Sequence, residues 1–126
     1  MQYLLLIYQN EAEVEKAGEA ATKAMHADYM TFTQSIVQAG HFKAGDALQR
    51  TSTATTVRVR NGKTLTTDGP FAETREQLGG YYLIEAKDLD QAITIAARVP
   101  SAKFGSIEVR PIRVFSEEVP WQASRA

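Results

Sequence analysis

The amino-acid sequence predicts an α+β domain, with two helices on one face of a mostly antiparallel sheet. Two observations carry that prediction. Apolar runs and helical periodicities follow one another in the order strand, helix, hairpin, strand, helix, strand, a split βαβ pattern with a hairpin inserted. The Asn61-Gly62 pair stands between two Thr- and Val-rich segments, the strongest two-residue hairpin signal. A chain of 126 residues fits one domain, able to bury roughly two-thirds of its unfolded surface.

Tyr3 to Tyr8 is a continuous apolar run and reads as a strand covered on both faces. Asn10 can cap the helix that follows. From Glu11 to Ala39 the residues Val14, Ala17, Ala21, Met25, Tyr29, Phe32 and Ile36 recur every three or four positions. Gly18 is a weak point where the early turns fray or break, and Gly40 closes the helix. His41 to Leu48 contains Gly45 and little periodicity, and reads as a loop leading into a short strand. Thr53 to Thr67 forms the hairpin, with Thr55, Val57 and Val59 alternating with Thr56, Arg58 and Arg60.

In Asp68-Gly69-Pro70-Phe71, Pro70 removes the N–H that an Asx-turn would use. The Asp68 carboxylate is therefore expected to cap Phe71 or Ala72 and start a short helical turn over Ala72 to Leu78, stopped by Gly79-Gly80. Phe71 is the apolar peg expected to pin this loop to the body. Tyr81 to Ala86 is a strand. Asp88 and Gln91 form a capping box for a second helix, whose stripe is Leu89, Ala92, Ile93 and Ala96 and whose end is Pro100. Ser106 to Phe115 is the last strand, with Pro111 at an edge or beyond the ladder. Residues 1–115 make the domain and 116–126 a tail in which Trp121 frays or docks on a neighbour.

A sheet with helices on one side leaves its other face open. Glu108, Arg110, Arg58 and Arg60 are expected there beside Tyr81 or Tyr82, and two such faces placed together make a homodimer enclosing a polar cleft.

Composition narrows the functional classes. A formal net charge of -1 with no basic run argues against direct nucleic-acid binding. The absence of cysteine removes disulfides, thiol nucleophiles and thiolate metal sites, and fits a cytoplasmic location. The N-terminal apolar run lacks a basic leader, and no stretch approaches the ~20 apolar residues of a membrane span. No metal is expected, because His26 and His41 lie fifteen apart without a His-x-x-x-His pair. No cofactor is expected either: Gly79-Gly80 lacks the spacing of a nucleotide loop, and no serine sits in an elbow motif.

The stretch TDGPFAETREQLGGYYLIE, with an opening YLLLIY strand, ATTVRVRNGK ahead of it and IEVRPI at the end, resembles the DGPF-motif group of the YCII-related protein family over residues 1 to 115. That resemblance implies a ferredoxin-like fold that dimerises as an α+β barrel. It also implies kinship with mostly uncharacterised bacterial proteins, often encoded near extracytoplasmic-function sigma factors. In the wider group a His on the first helix and an Asp after the second have been suggested as an active-site pair. His26 stands near the first position, and Val99, before Pro100, stands at the second, which leaves Asp68 as the alternative carboxylate.

The candidate site is accordingly His26 as general base, with Asp68, Gly69, Pro70, Phe71, Arg58 and Arg110 binding a small-molecule ligand. His26 shares a helix flank with Met30, Thr33 and Val37, from which it either faces a cleft or sits half-buried at the surface. Asp68 reads equally as a structural cap, and strand arginines as solvated charges. Two functions of different class follow: a dimeric small-molecule-binding protein or enzyme, and a regulatory module that engages a sigma factor.

Overall fold

The computed structural model describes residues 1–123. Six strands and three helices follow in the order β1 (Gln2–Gln9), α1 (Glu11–Gln38), β2 (Phe42–Ala47), β3 (Thr55–Arg60), β4 (Lys63–Asp68), β5 (Gln77–Glu85), α2 (Leu89–Ala97), β6 (Ser106–Pro111) and α3 (Pro120–Ala123). Short 3₁₀ turns occupy Thr51–Thr53 and Pro100–Lys103. The main sheet has the order β2-β5-β1-β6, every neighbour antiparallel, and β3 and β4 form a separate two-stranded ribbon. No closed barrel forms among the described residues.

Period-two alternation in β1 sends Tyr3, Leu5 and Ile7 into the core, where they meet Tyr82 and Ile84 of β5. Both helices cover this face: α1 contributes Phe32 and Ile36, and α2 contributes Ala92, Ile95 and Ala96. Leu5, Ile36 and Ile84 are fully buried, each stabilising the fold by about 1.5–3 kcal/mol. The opposite face carries Leu4, Leu6, Tyr81 and the buried Leu83, while α1 and α2 pack on the core side.

The long helix is the least regular element. Gly18 sits at φ 88°, ψ 178°, a conformation that only glycine adopts readily, and it divides α1 into two segments. The expected weak point is a kink. From Glu11 to Met25 no side chain is buried; burial begins further on, with Phe32. What holds the first segment is polar. Asn10 Oδ1 accepts from the Glu13 N–H at 2.9 Å, and its Nδ2 donates to the Arg75 carbonyl at 3.0 Å. Gln77 Oε1 accepts from the Glu11 N–H at 2.9 Å, while the Glu11 carboxylate accepts from the backbone and hydroxyl of Thr51 at 2.9 and 2.8 Å.

Several boundaries differ from the sequence reading. Phe42–Ala47 is a strand where a loop was expected through much of it, because pairing with β5 overrides the weak propensity of Ala44 and Gly45. The helical turn over Ala72 to Leu78 does not form. Gln77 to Gly80 pair with β1 instead, and the register shift opposite Ile7 and Tyr8 makes Gly79 the extra residue of a bulge. Asp68 ends β4 opposite Thr55 rather than capping a helix, and Phe71 is 80% exposed, so it pins nothing. The last strand ends at Pro111 rather than Phe115, and β6 is an edge strand, where a proline is tolerated. Arg58 and Arg60 lie on the ribbon, outside the main sheet. In the tail, Trp121 stands edge-on to Phe115 at 6.0 Å, and residues 124–126 lie outside the described residues.

Replacing Asn10 by Ala removes both the cap and the tie to Arg75. Denaturant unfolding of Asn10→Ala should show a loss of about 1 kcal/mol, with Asn10→Asp recovering most of it because the capping oxygen remains. Equal stability of Asn10→Ala and the parent would mean that the cap does not hold this end of the helix.

Candidate functional site

Between the lifted segment of α1 and the sheet lies a cavity of about 710 Å³. Its helical wall is one stripe, Val14, Ala17, Ala21, Met25 and Tyr29, with Glu13, Thr22, His26 and Thr33 on the flanks. Small alanines here leave space that larger residues would fill. Its floor is the sheet: Ile7 and Gln9 of β1, Phe42 and Gly45 of β2, and Gly80 and Tyr82 of β5. Gly45 faces the Tyr82 ring so closely that an added Cβ would lie 2.7 Å from Cδ1, so a glycine is needed for that ring to occupy its place.

Two hydroxyl pairs involve residues of the wall, with Ser101 buried behind it. Tyr82 Oη and Thr33 Oγ1 are 2.6 Å apart, and Tyr29 Oη and Ser101 Oγ are also 2.6 Å apart. Ser101, fully buried in the 3₁₀ turn after α2, donates to Gln9 Oε1 at 3.1 Å. With its proton committed to Gln9, Ser101 Oγ accepts from Tyr29, whose oxygen also takes a hydrogen bond from the Ser101 backbone and keeps its remaining lone pair for a donor within the cavity. Burial raises the pKa of both phenols, against a smaller opposing effect of the Ser101 or Thr33 hydrogen bond. Both therefore remain neutral hydroxyls at ordinary pH.

Charge in the wall is one-sided. Glu13 is the carboxylate of the helical wall, the Asp46 carboxylate being turned to Tyr81 Oη at 2.7 Å on the other face of the sheet, and no Lys or Arg occurs among the described lining residues. An empty, sealed apolar void of this size would cost about 17 kcal/mol at ~24 cal/mol per Å³, more than a typical domain's whole stability. The exposed alanines along α1 accord with the alternative, a cavity open to solvent.

The predicted residues divide. His26 lines the cavity, one turn before Tyr29, while Met30 and Val37 of its supposed flank are exposed at 51% and 52%. Asp68, Gly69, Pro70 and Phe71 lie at the ribbon base, Arg58 on the ribbon, and Arg110 on β6, 3.5 Å from Glu108. None of these six is among the described residues lining the cavity. Val99 is 1% exposed within the core, and the polar group at this corner is Ser101, two residues later. Tyr29, Ser101, Gln9, Thr33 and Tyr82 were not singled out from sequence as site residues. Tyr29 read as part of the apolar stripe, and nothing local marks Ser101 as the partner of a residue 72 positions away.

These environments set an alkaline titration. Hydrogen bonding to Asp46 raises the pKa of Tyr81 as well, so three of the five phenols should ionise above the ordinary value of 10.0. The native state then holds these protons more tightly than the unfolded chain. Their contribution to stability is complete below pH 10.0 and falls as the pH rises through the raised values. Phenolate absorbance should show the late steps, with Tyr29→Phe and Tyr82→Phe each deleting one; five equivalent phenols would contradict the geometry.

Comparison with known proteins agrees with this architecture. The model of the YCII-related domain matches residues 1–116. An uncharacterized protein of Rhizobium meliloti (strain 1021) is 35% identical over 117 residues, covering 91% of this chain and 94% of that protein. With the match spanning the sheet, both sheet-covering helices and every residue named on the cavity wall, the chain belongs to the YCII-related family.

Proposed function

We propose that this protein binds a neutral, mostly apolar small molecule in the cavity beneath α1, with a hydroxyl or amine of the ligand donating to Tyr29. The observation that carries the reading is the pairing of a large apolar space with two internally satisfied hydroxyl pairs and no Lys or Arg among the described lining residues. Phosphates and carboxylates would meet Glu13, with no Lys or Arg among the described lining residues to offset it. Aromatic or alicyclic molecules find Tyr82, Phe42 and Met25 to pack against. His26 lines the same cavity one turn before Tyr29, which supports the acid–base role this reading gives it.

The fold reading belongs to the same proposal. The strand order β2-β5-β1-β6, with both sheet-covering helices on one face, supports a ferredoxin-like arrangement, and the half-buried Leu4 and Leu6 on the outer face support a homodimer. The sigma-factor reading rests on family kinship alone, and no structural feature favours it.

The neutral fluorophore N-phenyl-1-naphthylamine, an aromatic N–H donor, tests the cavity directly. The parent protein should enhance and blue-shift its emission, and Ala21→Trp, which fills the cavity, should abolish the effect. Tyr29→Phe and His26→Ala should weaken binding about tenfold, while Arg58→Ala leaves it unchanged. Equal enhancement by the parent and Ala21→Trp would overturn the assignment.

A further inference from the structure

Two amide side chains stand in the cavity wall, Asn10 and Gln9. Asn10 is spent on structure: its Oδ1 accepts from the Glu13 N–H and its Nδ2 donates to the Arg75 carbonyl. Gln9 is half used. Its Oε1 accepts from Ser101 Oγ at 3.1 Å, while its Nε2 donates to no group among the described residues. Nor is that nitrogen sealed in the core, since among the described residues the one buried side-chain atom without a partner is an oxygen of Glu85. The Gln9 N–H₂ therefore opens on accessible space. Alternation along β1 puts Gln9 on the same face as Ile7, and both line the cavity. Gly79 of the bulge lies beside it, where even an added Cβ would sit 3.6 Å from Nε2, so that residue leaves the amide uncovered.

Ser101 decides which end of the amide faces outward. Its fully buried Oγ holds the oxygen end of Gln9 and lies 2.6 Å from Tyr29 Oη. With Tyr29 donating to that oxygen, turning the amide over would leave the buried Ser101 proton without an acceptor. Gln9 also borders a smaller hollow of about 290 Å³ that shares Val14, Thr22 and Gly79 with the main cavity, so the amide stands at the neck between the two. Glu13 in the same wall disfavours an anionic partner, which leaves a neutral oxygen as the acceptor. We infer that the ligand carries a carbonyl or hydroxyl oxygen that takes the Gln9 Nε2–H at this neck, in addition to the donor that meets Tyr29. The ligand class narrows from neutral apolar molecules at large to oxygenated ones, such as hydroxy ketones and diols. This inference rests on the reading of the cavity as a binding site and names a second polar contact within it.

Acetophenone and isopropenylbenzene have nearly the same shape and differ by an oxygen acceptor against a methylene. Each is titrated against N-phenyl-1-naphthylamine bound to the parent chain and to Gln9→Met, which keeps the length of the side chain without its amide. Comparing the ratio of the two affinities between proteins cancels their difference in transfer from water. The preference for acetophenone should fall about fivefold in Gln9→Met. It should fall also in Ser101→Ala, where the amide is free to turn, a change of ratio that lost packing alone would not produce. An equal ratio in the parent and Gln9→Met would overturn the role of Gln9 and leave the cavity standing, whereas a parent chain that binds no fluorophore would overturn both. A second readout needs no variant. In the proton–nitrogen spectrum of the isotope-labelled parent, the Gln9 side-chain N–H₂ should move downfield with acetophenone and not with isopropenylbenzene; equal movement with both would overturn the hydrogen bond.

Discussion

The cavity depends on how α1 is held at its two ends. Toward the C-terminus, Phe32 and Ile36 lie in the core and fix the helix against the sheet. At the other end, Asn10, Glu11 and Gln77 tie the first turn to Arg75 and Thr51 through directional hydrogen bonds. Between these anchors the helix runs over alanines and the Gly18 kink, none of which reaches the sheet. Hydrophobic burial would otherwise draw such a segment down until the space closed. Polar ties at fixed lengths oppose that collapse, so a space of about 710 Å³ persists in a protein of only 126 residues.

Within that space the chemistry is restrained. Each hydroxyl pair has a partner within the protein, so an apolar occupant leaves neither pair unbonded. The Ser101–Gln9 bond orients the remaining capacity of Tyr29 toward accepting. Raised phenol pKa values keep both tyrosines neutral, which suits recognition of a neutral donor better than attack by a phenolate. His26, at the edge of the same wall, is the one predicted site residue that the cavity includes.

Much of the fold was legible in sequence because its signals are local. The apolar run of Tyr3 to Tyr8, the capping box at Asp88 and Gln91, and Asn61-Gly62 each specify an element without help from distant residues. The 67–80 region was misread because Gly79 and Gly80 look like a helix stop, whereas their lack of side chains serves close strand approach; a Cβ on Gly80 would lie 3.0 Å from the Asp46 carbonyl. The site was largely hidden for a related reason. Tyr29 meets Ser101 and Thr33 meets Tyr82 only after the sheet has assembled, and a Tyr in an apolar helical stripe looks like core packing until its hydroxyl partner is known. Asp68 and the Gly69-Pro70-Phe71 that follows it lie at the base of the ribbon, away from the described cavity lining.

The most direct measurement is a nuclear Overhauser spectrum of N-phenyl-1-naphthylamine bound to the isotope-labelled protein. Contacts to the methyl groups of Ala21, Met25 and Ile7 and to the ring of Tyr82 are the result expected of an occupant beneath α1. Contacts confined to Leu4, Leu6 and Leu83 would put the molecule on the outer face of the sheet and contradict the account.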